Sequence, residues 1–134
     1  MVLILTPLEN ALASLHRGLV RATAAPEDEE LRDACIQRFE YTYELCWKLI
    51  RRQLAAEIAD TTEVDGYSRK TLFRVAARRG LIADPEPWFD YTLKRNLTSH
   101  TYNPATAREV FAVLADFARH ADALRARLRA CVDD

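Results

Sequence analysis

Residues 36–54 read Ile36-Gln37-Arg38-Phe39-Glu40-Tyr41-Thr42-Tyr43-Glu44-Leu45-Cys46-Trp47-Lys48-Leu49-Ile50-Arg51-Arg52-Gln53-Leu54. Ile36, Phe39, Tyr43, Cys46, Ile50 and Leu54 recur at steps of three and four, which puts them on one stripe of an α-helix. The acidic run Glu27-Asp28-Glu29-Glu30 just upstream suits the positive end of a helix dipole. A long helix is therefore predicted here, with that stripe as its core face. Glu44 and Lys48, one turn apart, are expected to pair on its surface.

The neighbouring segments read the same way. Thr6-Pro7-Leu8-Glu9 is predicted as a capped helix start, with Thr6 as N-cap and Glu9 closing a capping box. Leu8, Leu12, Leu15 and Leu19 then form its apolar stripe, and Ala24-Ala25-Pro26 ends it. Residues 60–67 are predicted as a loop. Ser68 caps a third helix carrying Leu72, Phe73, Val75 and Ala76, stopped at Gly80. Asp84-Pro85 opens a fourth, with Trp88, Phe89 and Leu93 apolar, and Asn103-Pro104 opens the last. Its seam of Val110, Leu114, Phe117, Ala121, Leu124, Leu128 and Cys131 is predicted to run uninterrupted. Helices with one apolar stripe each must bury it against one another. The expected fold is all-α, an antiparallel four- to five-helix bundle, and the last seam is equally fit to continue across a dimer interface.

Composition agrees. The 134 residues suit one domain, expected to span 1–134, and three glycines favour helix over sheet. A net charge of −1 excludes a surface that coats nucleic acid generally, so any RNA contact must be local. Cys35, Cys46 and Cys131 are odd in number and lack metal-ligand spacing, so neither a disulfide framework nor a metal site is expected. Cys35 and Cys46 fit helix interiors as small buried hydrophobes. The Met1–Leu5 run is too short for a signal peptide, and no apolar run reaches membrane-spanning length. A cytoplasmic protein without cofactor is expected.

Chemistry concentrates in Arg95-Asn96-Leu97-Thr98-Ser99-His100-Thr101-Tyr102. The guanidinium is a fixed fork of donors matched to phosphate oxygens, and an imidazole titrates near neutrality, as a general acid or base must. On a continuous helix Arg95 and His100 sit roughly 140° apart around the axis. They face one ligand only if the helix bends or ends between them, for which Thr98-Ser99 is a mild breaking point, or if two chains share the site. Asn96 is suited to orient the arginine or to cap the helix. Glu40 and Glu44 are either a solvated edge or an approach to Arg95 that fixes its orientation. Arg51-Arg52 and Arg78-Arg79 offer weak further phosphate contacts. His16 and His120 read as exposed or capping.

Arg95-x4-His100-x-Tyr102 resembles the R-x4-6-H-x-Y motif of HEPN-domain proteins, in particular the HepT-like and nucleotidyltransferase substrate-binding protein family. Residues 37–45 with Lys48 and Arg51-Arg52-Gln53-Leu54, Gly80-Leu81-Ile82 and Trp88 are similar to that family in the same order, over nearly the whole chain. The resemblance implies a homodimeric helical bundle bound to a cognate minimal nucleotidyltransferase. For HepT-type members it implies the toxin of a type VII toxin–antitoxin pair, a metal-independent endoribonuclease acting on RNA. Arg95 and His100 would then be catalytic, and Tyr102 would accept AMP from the nucleotidyltransferase antitoxin. The alternative it implies is a non-catalytic substrate-binding subunit of a two-component nucleotidyltransferase.

Overall fold

A computed structural model describes residues 3–100 and 103–133, and these carry seven helices and no strand. They are α1 (Thr6–Ala24), α2 (Glu29–Glu57), α3 (Thr61–Asp65), α4 (Arg69–Arg78), α5 (Glu86–His100), α6 (Pro104–Phe111) and α7 (Leu114–Asp133). The expected all-α bundle is what forms, with α2 as its central member, packed against α1, α6 and α7.

Several ends obey their local chemistry. The Asp28 carboxylate accepts from the Leu31 N–H, Ser68 from Thr71 and Asn103 from Thr106, each at an N-terminus. Beyond α4, Gly80 takes φ +83, and the N–H groups of Gly80 and Leu81 bond the carbonyls of Ala77 and Ala76. This is a Schellman stop, which needs a residue free to adopt positive φ.

Other local expectations are corrected. Thr6 is not an N-cap: Leu5 takes that place with helical φ/ψ and no side-chain cap, and Thr6 lies in the first turn. Glu9 binds Arg129 at 2.7 Å instead of closing a capping box. The predicted loop at 60–67 contains α3, capped by Asp60. The predicted last helix is broken at Ala112-Val113, although Val110 and Leu114 on either side are both fully buried. Cys131 leaves the seam for solvent.

The core is aromatic where the longest helices meet. Phe39 of α2 meets Phe117 of α7 edge-on at 4.8 Å, Trp88 of α5 stacks on Phe73 of α4 at 5.4 Å, and Tyr91 meets Phe117 at 5.2 Å. Each fully buried ring contributes about 1.5–3 kcal/mol, and favourable ring pairs add about 0.5–1.5 kcal/mol. These contacts fix the rotation of α5. Trp88 and Tyr91 face inward, so Leu93 falls on the outer side and is 61% exposed, against the expectation of a packed residue.

Candidate functional site

By fixing α5, Trp88 also aims the side chains one and two turns further along it. Thr92 and Arg95 continue the Trp88 side of the helix at steps of four and three, toward α2. The Thr92 hydroxyl shares a 2.5 Å hydrogen bond with Tyr43 of α2. One turn on, Arg95 meets two carboxylates of α2: Nε lies 3.5 Å from Glu44 and Nη1 lies 4.0 Å from Glu40. Arg95 Nη1 also donates to Ser99 Oγ, and the Thr98 hydroxyl donates to the Arg95 carbonyl at 2.7 Å. Arg95 Nε is buried without a hydrogen bond of good geometry, so Glu44 holds it through charge rather than through a directed bond. The approach of Glu40 and Glu44 to Arg95 is thus present. The expected Glu44–Lys48 pair is replaced: Glu44 accepts from Trp47 Nε1 at 2.9 Å, and Lys48 lies over the Trp47 ring.

His100 is placed differently. Helix α5 runs through Thr98 and Ser99 without a break, so the expected bend is absent. The Thr98 hydroxyl bonds back along the helix rather than opening it. Arg95 and His100 therefore stand about 140° apart around one axis. His100 lines a shallow cavity of about 330 Å³ with Leu93, Asn96, Leu97, Lys94 and Glu109, and Arg95 does not border it. Asn96 is exposed on the His100 side rather than against the guanidinium. Tyr102 lies outside the described residues. In one chain, Arg95 and His100 do not converge.

Next to Arg95 lies a cluster of which sequence reading named Arg51 but missed Arg69 and Trp47. The Arg69 guanidinium of α4 stacks 3.7 Å from the Trp47 ring centre and donates to the Tyr43 hydroxyl at 3.0 Å. Arg51 approaches the same indole at 4.9 Å. The available signal was electrostatic: Arg69 and Lys70 open α4 at the positive end of its dipole, where cations are locally disfavoured and no acidic residue offsets them. A local rule broken at a helix start marks a residue held by tertiary contacts. Burial raises the Tyr43 phenol above its ordinary value, and its bonds to Thr92 and Arg69 oppose this.

Elsewhere, Cys35 and Cys46 are buried as expected, and burial raises both thiols. His16 is exposed, whereas His120 is half-buried with Nδ1 2.5 Å from the Tyr91 hydroxyl. Arg79 is engaged by Glu57 at 2.9 Å. Among the described residues no group of three or more His, Cys, Asp or Glu is placed to hold a metal ion, and no helix is long and apolar enough to cross a membrane.

Comparison with known proteins matches residues 3–130 to the family described as nucleotidyltransferase substrate binding protein like. A Haemophilus influenzae protein named probable ribonuclease HepT is 40% identical over 94 residues, 70% of this chain. The match spans 64% of that relative, less than two thirds of its length. A solved Haemophilus influenzae structure, reported as the fold of a substrate binding domain of a nucleotidyltransferase, is 34% identical with a TM-score of 0.88, covering 94% of this chain and 99% of that one. A crystal structure from Thermus thermophilus is 37% identical with a TM-score of 0.73, covering 91% and 98%.

Proposed function

The chain belongs to the nucleotidyltransferase substrate binding protein like family, and on that premise we propose that it is a HepT-like endoribonuclease, active as a homodimer. The carrying observation is Arg95, held by Glu40 and Glu44 at the surface of α2 and separated from His100 by an unbroken helix. A cation kept in place by two carboxylates is pre-oriented for a phosphate without reorganisation during reaction. Because the same chain's His100 faces another way, the site is completed across a two-fold axis by the partner subunit's His100. The exposed Leu93 and the shallow cavity beside His100 give α5 an outer face able to meet its counterpart.

The partner's imidazole then works in two steps. It takes the proton of the ribose 2′-hydroxyl, and the 2′-oxygen attacks the adjacent phosphorus. Arg95 stabilises charge on the phosphorane-like transition state. The bond from phosphorus to the 5′-oxygen breaks, and the same imidazolium returns its proton to that oxygen. The products are a 2′,3′-cyclic phosphate and a 5′-hydroxyl. In this reading the chain is one domain over residues 1–134, acts in the cytoplasm, and is the toxin of a type VII pair. A cognate minimal nucleotidyltransferase silences it by transferring AMP from ATP to the Tyr102 phenol, releasing pyrophosphate.

Purified protein is expected to degrade RNA in EDTA, and Arg95→Ala or His100→Ala to abolish this. Cleavage that survives both substitutions overturns the site. Incubation with the nucleotidyltransferase and ATP is expected to add AMP mass at Tyr102. The separation of Arg95 from His100 within one chain also suits a second reading, a non-catalytic subunit that presents substrate to the nucleotidyltransferase. A stable complex with neither modification nor RNA cleavage would favour that reading.

A further inference from the structure

The ribonuclease reading leaves open how an RNA strand reaches Arg95, and the surface beside it carries chemistry that reading does not use. Lys48 and Arg51 are exposed on α2, and Arg69 at the start of α4 is half-buried. All three guanidinium or ammonium groups lie over Trp47, at 5.8, 4.9 and 3.7 Å from its ring centre for Lys48, Arg51 and Arg69 respectively. Among the described residues none of the three has a carboxylate within 4 Å, whereas Arg32, Arg79, Lys94, Arg95, Arg119, Arg125 and Arg129 do. In a chain of net charge −1, three cations without a carboxylate partner gather on this one ring, a larger group than Lys70 and Arg74 over Phe89.

The arrangement is also ordered. Stacking on Trp47 and the bond to Tyr43 hold the Arg69 plane, leaving its remaining N–H donors unassigned. The acid bonded to Trp47 itself, Glu44, is occupied by Trp47 Nε1 and Arg95. Glu44 therefore links the cluster to Arg95 rather than cancelling it. One guanidinium fork fixed on an aromatic support, with two further cations over the same ring and leading to a phosphate-activating arginine, matches the backbone of an unpaired strand better than a protein surface.

Resting on the ribonuclease reading, we propose that Lys48, Arg51 and Arg69, arrayed around Trp47, are a phosphate-binding track that guides single-stranded RNA to Arg95. Each contact to a single strand adds about 0.7 to the slope of log affinity against log salt, equivalent to about fivefold in affinity at 0.1 M salt.

The test uses the full chain carrying His100→Ala, so that RNA is bound but not cut, titrated against a fluorescein-labelled twelve-nucleotide oligouridylate from 50 to 200 mM KCl. Adding Arg51→Gln and Arg69→Gln together is expected to weaken binding about 25-fold at 0.1 M salt and to flatten the slope by about 1.4. Arg69→Lys, which keeps the charge, is expected to hold the slope near that of the parent. Arg51→Gln alone, at an exposed residue with no hydrogen bond to lose, is expected to flatten it by about 0.7, whatever Arg69 contributes to folding. An unchanged slope in both Gln variants, with RNA cleavage by the natural chain intact, overturns the track and leaves the ribonuclease reading standing. An unchanged slope with loss of the nucleotidyltransferase complex assigns the surface to that protein and equally overturns it. A parent that binds no oligonucleotide, from a natural chain that cuts none, overturns both.

Discussion

Glu44→Gln, made in the natural chain and again beside Arg95→Ala, tests whether the two side chains act as a unit. At an effective dielectric of about 20, unit charges at 3.5 Å interact by about 5 kcal/mol and at 4.0 Å by about 4 kcal/mol. Those figures overstate the net effect here. Arg95 is 25% exposed and both carboxylates are 34% exposed, so water screens the pairs, and Nε lacks a directed bond. A coupling of about 1 kcal/mol remains after that screening. Glutamine keeps an oxygen for the Trp47 Nε1 donor, so the substitution removes charge with little loss of shape. In the natural chain Glu44→Gln is expected to cost about 1 kcal/mol. Beside Arg95→Ala it is expected to be neutral or stabilising by a few tenths, because Glu40 and Glu44 then repel at a spacing of one turn. Urea denaturation of the four proteins measures the difference. Additivity within about 0.3 kcal/mol would show that the groups do not interact and would remove the buttress from the proposed site. In the cleavage assay the same single variant is expected to lose about tenfold in kcat, the equivalent of about 1.4 kcal/mol of transition-state stabilisation.

Three further outcomes are expected. Gly80→Ala should cost about 1 kcal/mol in thermal denaturation: no atom lies within 4 Å of the added methyl, so the penalty is that of a φ of +83 alone. Phe117→Ala, which removes a ring in contact with Phe39, Trp88 and Tyr91, should cost about 3–5 kcal/mol in urea denaturation. Stability should decline above about pH 10, because burial raises the Tyr43 and Tyr91 phenols and the unfolded chain releases those protons first. The folded state then holds more protons, so stability is complete below the unfolded value and is lost as pH rises. Tyr91→Phe should make that decline shallower, as tracked by denaturation midpoints from about pH 8 to 11.

What could be read from the chain was what is local or periodic. The α2 stripe from Ile36 to Leu54 is wholly buried, and Asp28, Ser68, Asn103 and Gly80 perform the end chemistry their residue types suggest. The Thr6 cap failed because α1 starts earlier and Glu9 has a stronger partner in Arg129, 120 positions away. The break at Ala112-Val113 was invisible because the apolar rhythm passes through it unchanged. Helix α3 was announced by Asp60-Thr61-Thr62-Glu63, a capping pattern that the surrounding polar residues concealed. At the site, the carboxylate pair beside Arg95 was legible as one of two alternatives. The meeting of Arg69 with Trp47 joins two separate helices through tertiary packing and leaves no periodic trace.

The unbroken course of α5 reaches beyond geometry. A rod that keeps its cation and its imidazole on different sides ties turnover, in the proposed reading, to encounters between molecules. Specific activity would then rise with protein concentration and level off once pairs are complete. A cell with few copies would be spared, and abundance itself would serve as the trigger.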